Sequence, residues 1–362
     1  MFIHPKGNPA SPVWVIVDAP FEQDAKAGYV YSGSYGYIFD MMMAEAGLPN
    51  YYVIARRPHL LEHTDAYNIV ENDLNSRKPP IIIPIESAGN FLVPEMGPTT
   101  RQKGLRSNIE KYAGSLLNST LLSYAHYIIP TYGPDTIVRD WASRDIVTSV
   151  DLGRAASELA YWKTHGVHQP LPERTLRYED IPFDELVNLL NSWKGVPMLS
   201  NDIETVYPKA KSNYYGHPGY PVTIGLAPSK DMGISFNLFR DKKSEEVELW
   251  RLLAWLLWNV PQLGQNFFNF DVNFYEMLGF RIQLEKVQDT MLRHHVLWPE
   301  LPHKLQFLTR QYTREPYYKD EGKRWSLKNM TSLRKYNCKD VCTTIEVWEE
   351  QEKEFDKRPH LR

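Results

Sequence analysis

Cysteine is nearly missing from this chain: Cys338 and Cys342 are the only two in 362 residues. They stand four positions apart among charged neighbours in one predicted helix, so no disulfide framework is available, and a reducing, cytoplasmic setting is expected. A basic surplus is missing as well. With a net charge of −3, a nucleic-acid role cannot rest on a bulk positive surface and needs local Lys/Arg patches beside an acidic, metal-neutralised site. Long apolar runs are the third absence. The opening MFIHPKGNPASPVWVIV has no basic stretch ahead of an apolar core, and the most apolar helical stretch, Leu249 to Val260, is broken by Arg251. Neither secretion nor a membrane role is therefore expected. No internal repeat or low-complexity segment occurs.

What is present is an aromatic-rich, 43% hydrophobic chain long enough for two ordered domains, each with its own core. An apolar strand at Val13 to Val17, a Pro/Gly-punctuated loop and a helix at Tyr37 to Ala46, ended by Gly47 and Pro49, read as the opening of an α/β domain. Further strands at Ile81 to Ile85 and Tyr127 to Pro130 run into turns, which predicts parallel strands with functional loops at their C-terminal ends. Periodicity fades from 164 to 182, where Gly166, Pro170, Pro172 and Pro182 gather, and the domain boundary is placed there, giving domains 1–168 and 169–362. Beyond it, strands are expected at Met198 to Glu204, Val222 to Leu226 and Gly233 to Asn237, followed by a helix from Ser244, its expected cap, to Val260. This order describes an α+β or mixed-sheet domain.

Three acidic elements carry the chemistry. In Asp202-Ile203-Glu204 both carboxylates project from one face of a strand and can reach the same metals, with Ile203 turned to the core. Asp271 closes an aromatic stretch, Gly264 to Phe270, whose burial would leave its carboxylate in need of a metal or hydrogen-bond partner; a helix-capping role is the alternative. Tyr336 and Asp340, four apart on a helix, share a face, which an ordinary amphipathic helix would also explain.

In this order and spacing the three elements resemble the motifs of the DEDDy class of 3′–5′ exonucleases: Asp202 and Glu204 as the first, Asp271 with Asn266 upstream as the second, Tyr336 and Asp340 as the third. Asp289-Thr290-Met291, Pro299-Glu300-Leu301-Pro302-His303 and Glu315-Pro316-Tyr317-Tyr318-Lys319-Asp320 extend the likeness to the proofreading domains of bacteriophage family A DNA polymerases, over residues 170–362. The resemblance implies a ribonuclease H-like (DnaQ-like) domain with a mixed sheet, and a chain without a polymerase module. It also implies two divalent cations, Mg²⁺ or Mn²⁺, held by Asp202, Glu204, Asp271 and Asp340: Asp202 bridging both, Glu204 and Asp340 completing the water-activating site, Asp271 acting through water. Hard oxygen ligands fit those ions and argue against structural zinc. Tyr336 is expected to orient the water, since an ordinary phenol has a pKa of about 10. Asn266, Phe267, His303, Lys304, Trp325 and Lys328 are the expected contacts to a single strand or frayed 3′ end.

Residues 17–40, with Gly28, Gly33, Gly36 and Gly47 as a skeleton and Thr131-Tyr132-Gly133-Pro134-Asp135 as a late motif, resemble iron–sulfur-type uracil-DNA glycosylases over residues 10–165. Asp18 stands where that family has a glutamate, Phe21 where it has a glycine, Val53 where it has a base-reading asparagine, and Gly133 where it has a histidine. Without a cysteine before Cys338 no iron–sulfur cluster can form. A glycosylase-like α/β domain that has lost its chemistry is expected. The function expected of the whole is a 3′–5′ exodeoxyribonuclease proofreading for a separately encoded DNA polymerase. A uracil-DNA glycosylase with an accessory nuclease, a non-catalytic polymerase-docking or DNA-binding subunit, and an exoribonuclease of the same superfamily are the alternatives.

Overall fold

The structure, a computed structural model, describes residues 1–59, 67–96, 109–206, 219–323 and 325–361. The chain is an α/β protein that divides into two compact units: residues 1–171 with 314–317, and residues 172–313 with 318–362.

In the first unit the strands are β1 (Lys6–Gly7), β2 (Val13–Val17), β3 (Tyr52–Ala55), β4 (Ile81–Pro84) and β5 (Tyr127–Ile128), in sheet order β1-β3-β2-β4-β5. β2 to β5 are mutually parallel, and only the two-residue edge strand β1 runs antiparallel, on β3. Every residue of β2 and β4 is buried, as a parallel sheet covered on both faces requires. Helices α1 (Ser34–Glu45), α2 (Tyr67–Arg77), α3 (Ile109–Tyr112), α4 (Pro134–Arg139) and α5 (Trp141–His165) connect or cover the strands. α5 stops where Gly166 takes a left-handed conformation at φ 71°. The first helix begins at Ser34, three residues before the expected Tyr37, because Gly33 sits in extended backbone and starts it. β3 is absent from the sequence-based expectation; its four residues carry too short a pattern to separate from a loop.

The second unit has a six-stranded mixed sheet built from β6 (Thr175–Arg177), β7 (Leu199–Val206), β8 (Tyr220–Ser229), β9 (Met232–Asn237), β10 (Gln262–Gly264) and β11 (Val287–Asp289), in the order β11-β10-β7-β8-β9-β6. β7-β8-β9 form an antiparallel meander, while β10 and β11 add parallel strands beyond β7. Its helices are α6 (Phe183–Ser192), α7 (Lys243–Asn259), α8 (Asp271–Met277), α9 (Thr290–Leu297), α10 (Leu305–Tyr312) and α11 (Thr331–Lys357). Leu249, Leu253, Leu256 and Leu257 of α7 fall at helical spacing and bury against Ile203, Ile224 and Phe236 of the meander. Ser244 does not cap α7: Lys242 holds that position without a side-chain bond, and Glu245 and Glu246 of the first turn pair instead with Lys242 and Lys243.

α11 lies across the other face. Cys338 and Cys342 are free thiols, fully buried despite their charged sequence neighbours, because they sit on the helix stripe turned to the sheet. Gly233 of β9 makes that approach possible: a Cβ there would stand 2.7 Å from Cys342 Sγ and 2.9 Å from the Cys338 carbonyl. Gly233→Ala should therefore push α11 outward and cost about 1–3 kcal/mol in urea denaturation. Gly195→Ala, whose Cβ would enter open space, should stay within about 0.5 kcal/mol of wild type; equal stabilities for all three proteins would contradict this packing.

Candidate metal centre

β7 and α11 bring the acids together. Asp202 and Glu204 leave one face of β7, and Ile203 between them is buried in the core. A register shift in the β7–β8 ladder falls directly after Glu204, a local bulge of the kind that re-aims side chains beside functional sites. Asp340 arrives from α11. Ligand oxygens of Asp202, Glu204 and Asp340 all lie within 4.8 Å of one another.

Asp202 is held by Asn337, which the sequence does not single out, and Asp340 by Tyr318 and Lys319 of the Glu315-to-Asp320 stretch. Asn337 Nδ2 donates to Asp202 Oδ2 at 2.6 Å, and its own Oδ1 accepts from the Ser235 hydroxyl at 2.7 Å. Ser235 in turn meets Thr223 Oγ1 at 2.9 Å, so a fully buried polar chain fixes the Asp202 rotamer. Gly225, paired with Asp202 across the ladder, leaves the space: a Cβ there would stand 2.4 Å from Asn337 Oδ1. Tyr318 donates its hydroxyl to Asp340 Oδ1 at 2.6 Å. Lys319 Nζ lies 2.6 and 2.7 Å from the two Asp340 oxygens and donates to the Tyr336 hydroxyl at 3.1 Å. The Tyr336 ring packs on Gly322, where a Cβ would come within 2.7 Å.

Asp271 stands beside this trio and outside it. It is the first residue of α8, buried, and its Oδ1 accepts from the backbone N–H of Ile203 at 2.9 Å. The parallel pairing of β10 with β7 ends at Ser200, so Asp271 satisfies a strand donor past the end of that ladder. Burial raises the Asp202 carboxyl to about 7, with Asp340 adding to the shift and Lys319 and Asn337 opposing it. Burial and then Asp202 likewise push Glu204 and Asp271 upward. Burial, then Asp340, raises the Tyr336 phenol far above its usual range, so it keeps its proton.

The expected strand contacts divide. Phe267 is a correction: it is fully buried in the core with its ring against Gly264, so no substrate can stack on it. Asn266 adopts φ 59° and donates its N–H to Asp289 Oδ1 at 3.0 Å. Asp289 also caps α9 through the N–H groups of Met291 and Leu292. It thereby ties the Asn266 loop to that helix, a role its place in the Asp289-Thr290-Met291 motif does not reveal. His303 belongs to a chain of imidazoles, 2.8 Å from His294 and 3.0 Å from His295. Lys304 and Lys328 are exposed and Trp325 is half-buried, and no hydrogen bond among the described residues joins them to the acids.

No family model matches the chain, and no curated protein matches it significantly. Among solved structures it is similar to the catalytic core of RRP6 from Trypanosoma brucei, at 14% identity and TM-score 0.40, over 53% of this chain and 52% of that one. The chain thus spans about half the length of that structure. It is also similar to the Aedes aegypti Nibbler EXO domain, at 16% identity and TM-score 0.39 over 52% of this chain and 93% of that one. Escherichia coli RNase D, described as an exoribonuclease involved in structured RNA processing, aligns at 14% identity and TM-score 0.36 over 52% of this chain and 49% of that one. At these TM-scores the likenesses carry no weight for function.

In the first unit, Asp18 at the end of β2 is ion-paired with Arg56, at 2.8 Å, and with Arg57. Val53 is buried within β3. At Gly133 a Cβ would meet Asp135 Oδ1 at 2.8 Å and Ile85 Cγ2 at 3.1 Å, so the loop has little room for a larger side chain. No helix among the described residues is long and apolar enough to cross a membrane.

The donor set fits a hard divalent cation: three carboxylates converge with one ammonium beside them and neither thiol nor imidazole among them. Asp202 holds a proton in the fold near neutrality that it would lose in the unfolded chain, where its pKa is that of an ordinary carboxylate. Its contribution to the metal-free protein therefore falls as pH rises from about 4 to about 7. A cation must compete with that proton. The rise in Tm on replacing EDTA by Mg²⁺ should be small near pH 5.5 and grow toward pH 8, as thermal unfolding across that range would show; a rise independent of pH would contradict the shared, proton-laden site.

Proposed function

We propose that this chain is a divalent-metal-dependent nuclease that hydrolyses phosphodiester bonds from 3′ ends. The observation that carries the reading is the convergence of Asp202, Glu204 and Asp340 within 4.8 Å, with Asp271 behind them and Tyr336 alongside. Hydrolysis adds hydroxide to an anionic phosphate and expels a 3′-oxyanion, so positive charge is needed at both positions. Asp202, Glu204 and Asp340 would hold two cations, Asp271 contributing through water. When bound, such cations acidify water and neutralise developing charge.

The chain's own residues do the positioning. Asn337 fixes the rotamer of Asp202, and Tyr318 fixes that of Asp340. Tyr336 keeps its phenolic proton, which supports orienting the attacking water over accepting its proton. DNA is the proposed substrate, in single-stranded or frayed form, on the resemblance of the motifs from Asp202 to Asp340 to phage proofreading domains. A separately encoded polymerase is the proposed partner, with residues 1–165 guiding or docking the DNA. The ion pairs of Asp18 with Arg56 and Arg57 favour this role over uracil excision, because both Asp18 oxygens are engaged by guanidinium groups of the chain itself.

End-labelled single-stranded DNA, mismatched duplex and RNA, each with Mg²⁺ or EDTA, test the proposal. Stepwise shortening from the 3′ end of DNA is expected only with metal. Asp202→Ala and Asp340→Ala should each lose on the order of a thousandfold in turnover. Tyr336→Phe removes one hydrogen bond and should lose about tenfold. Full activity in Asp202→Ala would end the proposal, and faster digestion of RNA would replace the substrate.

A further inference from the structure

Lys319 occupies the position where the proposed site most needs a cation. Its ammonium spans both oxygens of Asp340 at 2.6 and 2.7 Å, and one of those oxygens also takes the Tyr318 hydroxyl. The lysine side chain is 14% exposed and the Asp340 side chain 7%, so the pair is shielded from solvent. Three of the four lone-pair sites of Asp340 are thus taken by side chains of its own chain. A divalent cation approaching an Asp340 oxygen at about 2.0–2.2 Å would meet the ammonium as a like charge and as a rival for the same lone pairs. A second seat is built in: Nζ already lies 4.8 Å from the Tyr336 ring centroid and 5.1 Å from that of Tyr318. Aromatic faces stabilise a cation without consuming a carboxylate.

We propose that Lys319 is a resident counter-ion of the acidic centre, which holds Asp340 in place in the metal-free protein and must release it, swinging onto Tyr318 and Tyr336, for a divalent cation to bind. It rests on the reading that Asp202, Glu204 and Asp340 hold the cation. Charge alone gives the lysine two effects: it stabilises the empty site, and it lowers the site's metal affinity. The lysine would thus raise the metal concentration at which the enzyme becomes competent above the one that the carboxylates alone would require.

The test is Mn²⁺ binding, read from the spin-resonance signal of free Mn²⁺, in wild type, Lys319→Met and Asp202→Ala, with thermal unfolding of each in EDTA. Lys319→Met is expected to bind Mn²⁺ about tenfold or more tightly than wild type while melting at a lower temperature in EDTA. Unchanged or weaker binding in Lys319→Met would overturn the counter-ion role and leave the metal centre standing. Equal binding by wild type and Asp202→Ala, or none by either, would remove the metal centre and the inference with it. Should Lys319→Met fail to fold, amine acetylation of wild type read by peptide mass spectrometry decides the matter. Lys319 should be protected in EDTA and modified faster with Mn²⁺; equal modification in both would overturn the proposal.

Discussion

Carboxylates crowded into a buried space repel one another, and the second unit is built around that conflict. Asp202, Glu204 and Asp340 converge with Asp271 behind them, while Lys319 is the one ammonium bonded to the trio among the described residues. Burial and, after it, the charge of Asp340 raise the Asp202 carboxyl to about 7, so protons relieve the repulsion in part. Hydrogen bonds relieve another part through Asn337, Tyr318 and the Ile203 N–H, on which Asp271 is spent. A divalent cation would relieve the rest. Each supporting feature can be understood as keeping the charges close despite their repulsion: Gly225 admits Asn337, Gly233 admits α11, and Gly322 seats Tyr336.

The mixed sheet makes this arrangement rigid. β7 is flanked on one side by β8 of the antiparallel meander and on the other by β10, and its side chains alternate between the core and the acidic face. α11 crosses the sheet with Cys338, Val341 and Cys342 buried beneath it, so the acidic end of the helix cannot shift without disturbing that core. Precision of this kind is what a metal site demands and what a merely solvated acidic face would not need.

Local patterns are legible in the sequence where one element decides them. The alternation of Asp202, Ile203 and Glu204 and the helical spacing of Tyr336 and Asp340 can be read directly, as can the bounds of the apolar strand at Val13 to Val17. Contacts made by tertiary folding cannot. Lys319 reaches Asp340 from 21 positions upstream, and Asn337 looks like any polar residue in a helix until the sheet is placed beneath it. Phe267 misleads because an aromatic beside an acid can serve a base or a core equally well, and burial decides for the core. Ser244 misleads because the chain enters α7 before it, with Lys242 at the cap.

Everything proposed for the second unit depends on whether Asp202, Glu204 and Asp340 hold a divalent cation. The most direct measurement is an anomalous difference map from crystals of the full chain soaked in Mn²⁺, with Asp340→Asn crystals treated in the same way. A strong peak bounded by the carboxylates of those three residues, absent or much weaker in Asp340→Asn, is the predicted result. No peak among them at saturating Mn²⁺, or a peak bound elsewhere and indifferent to Asp340→Asn, would contradict it.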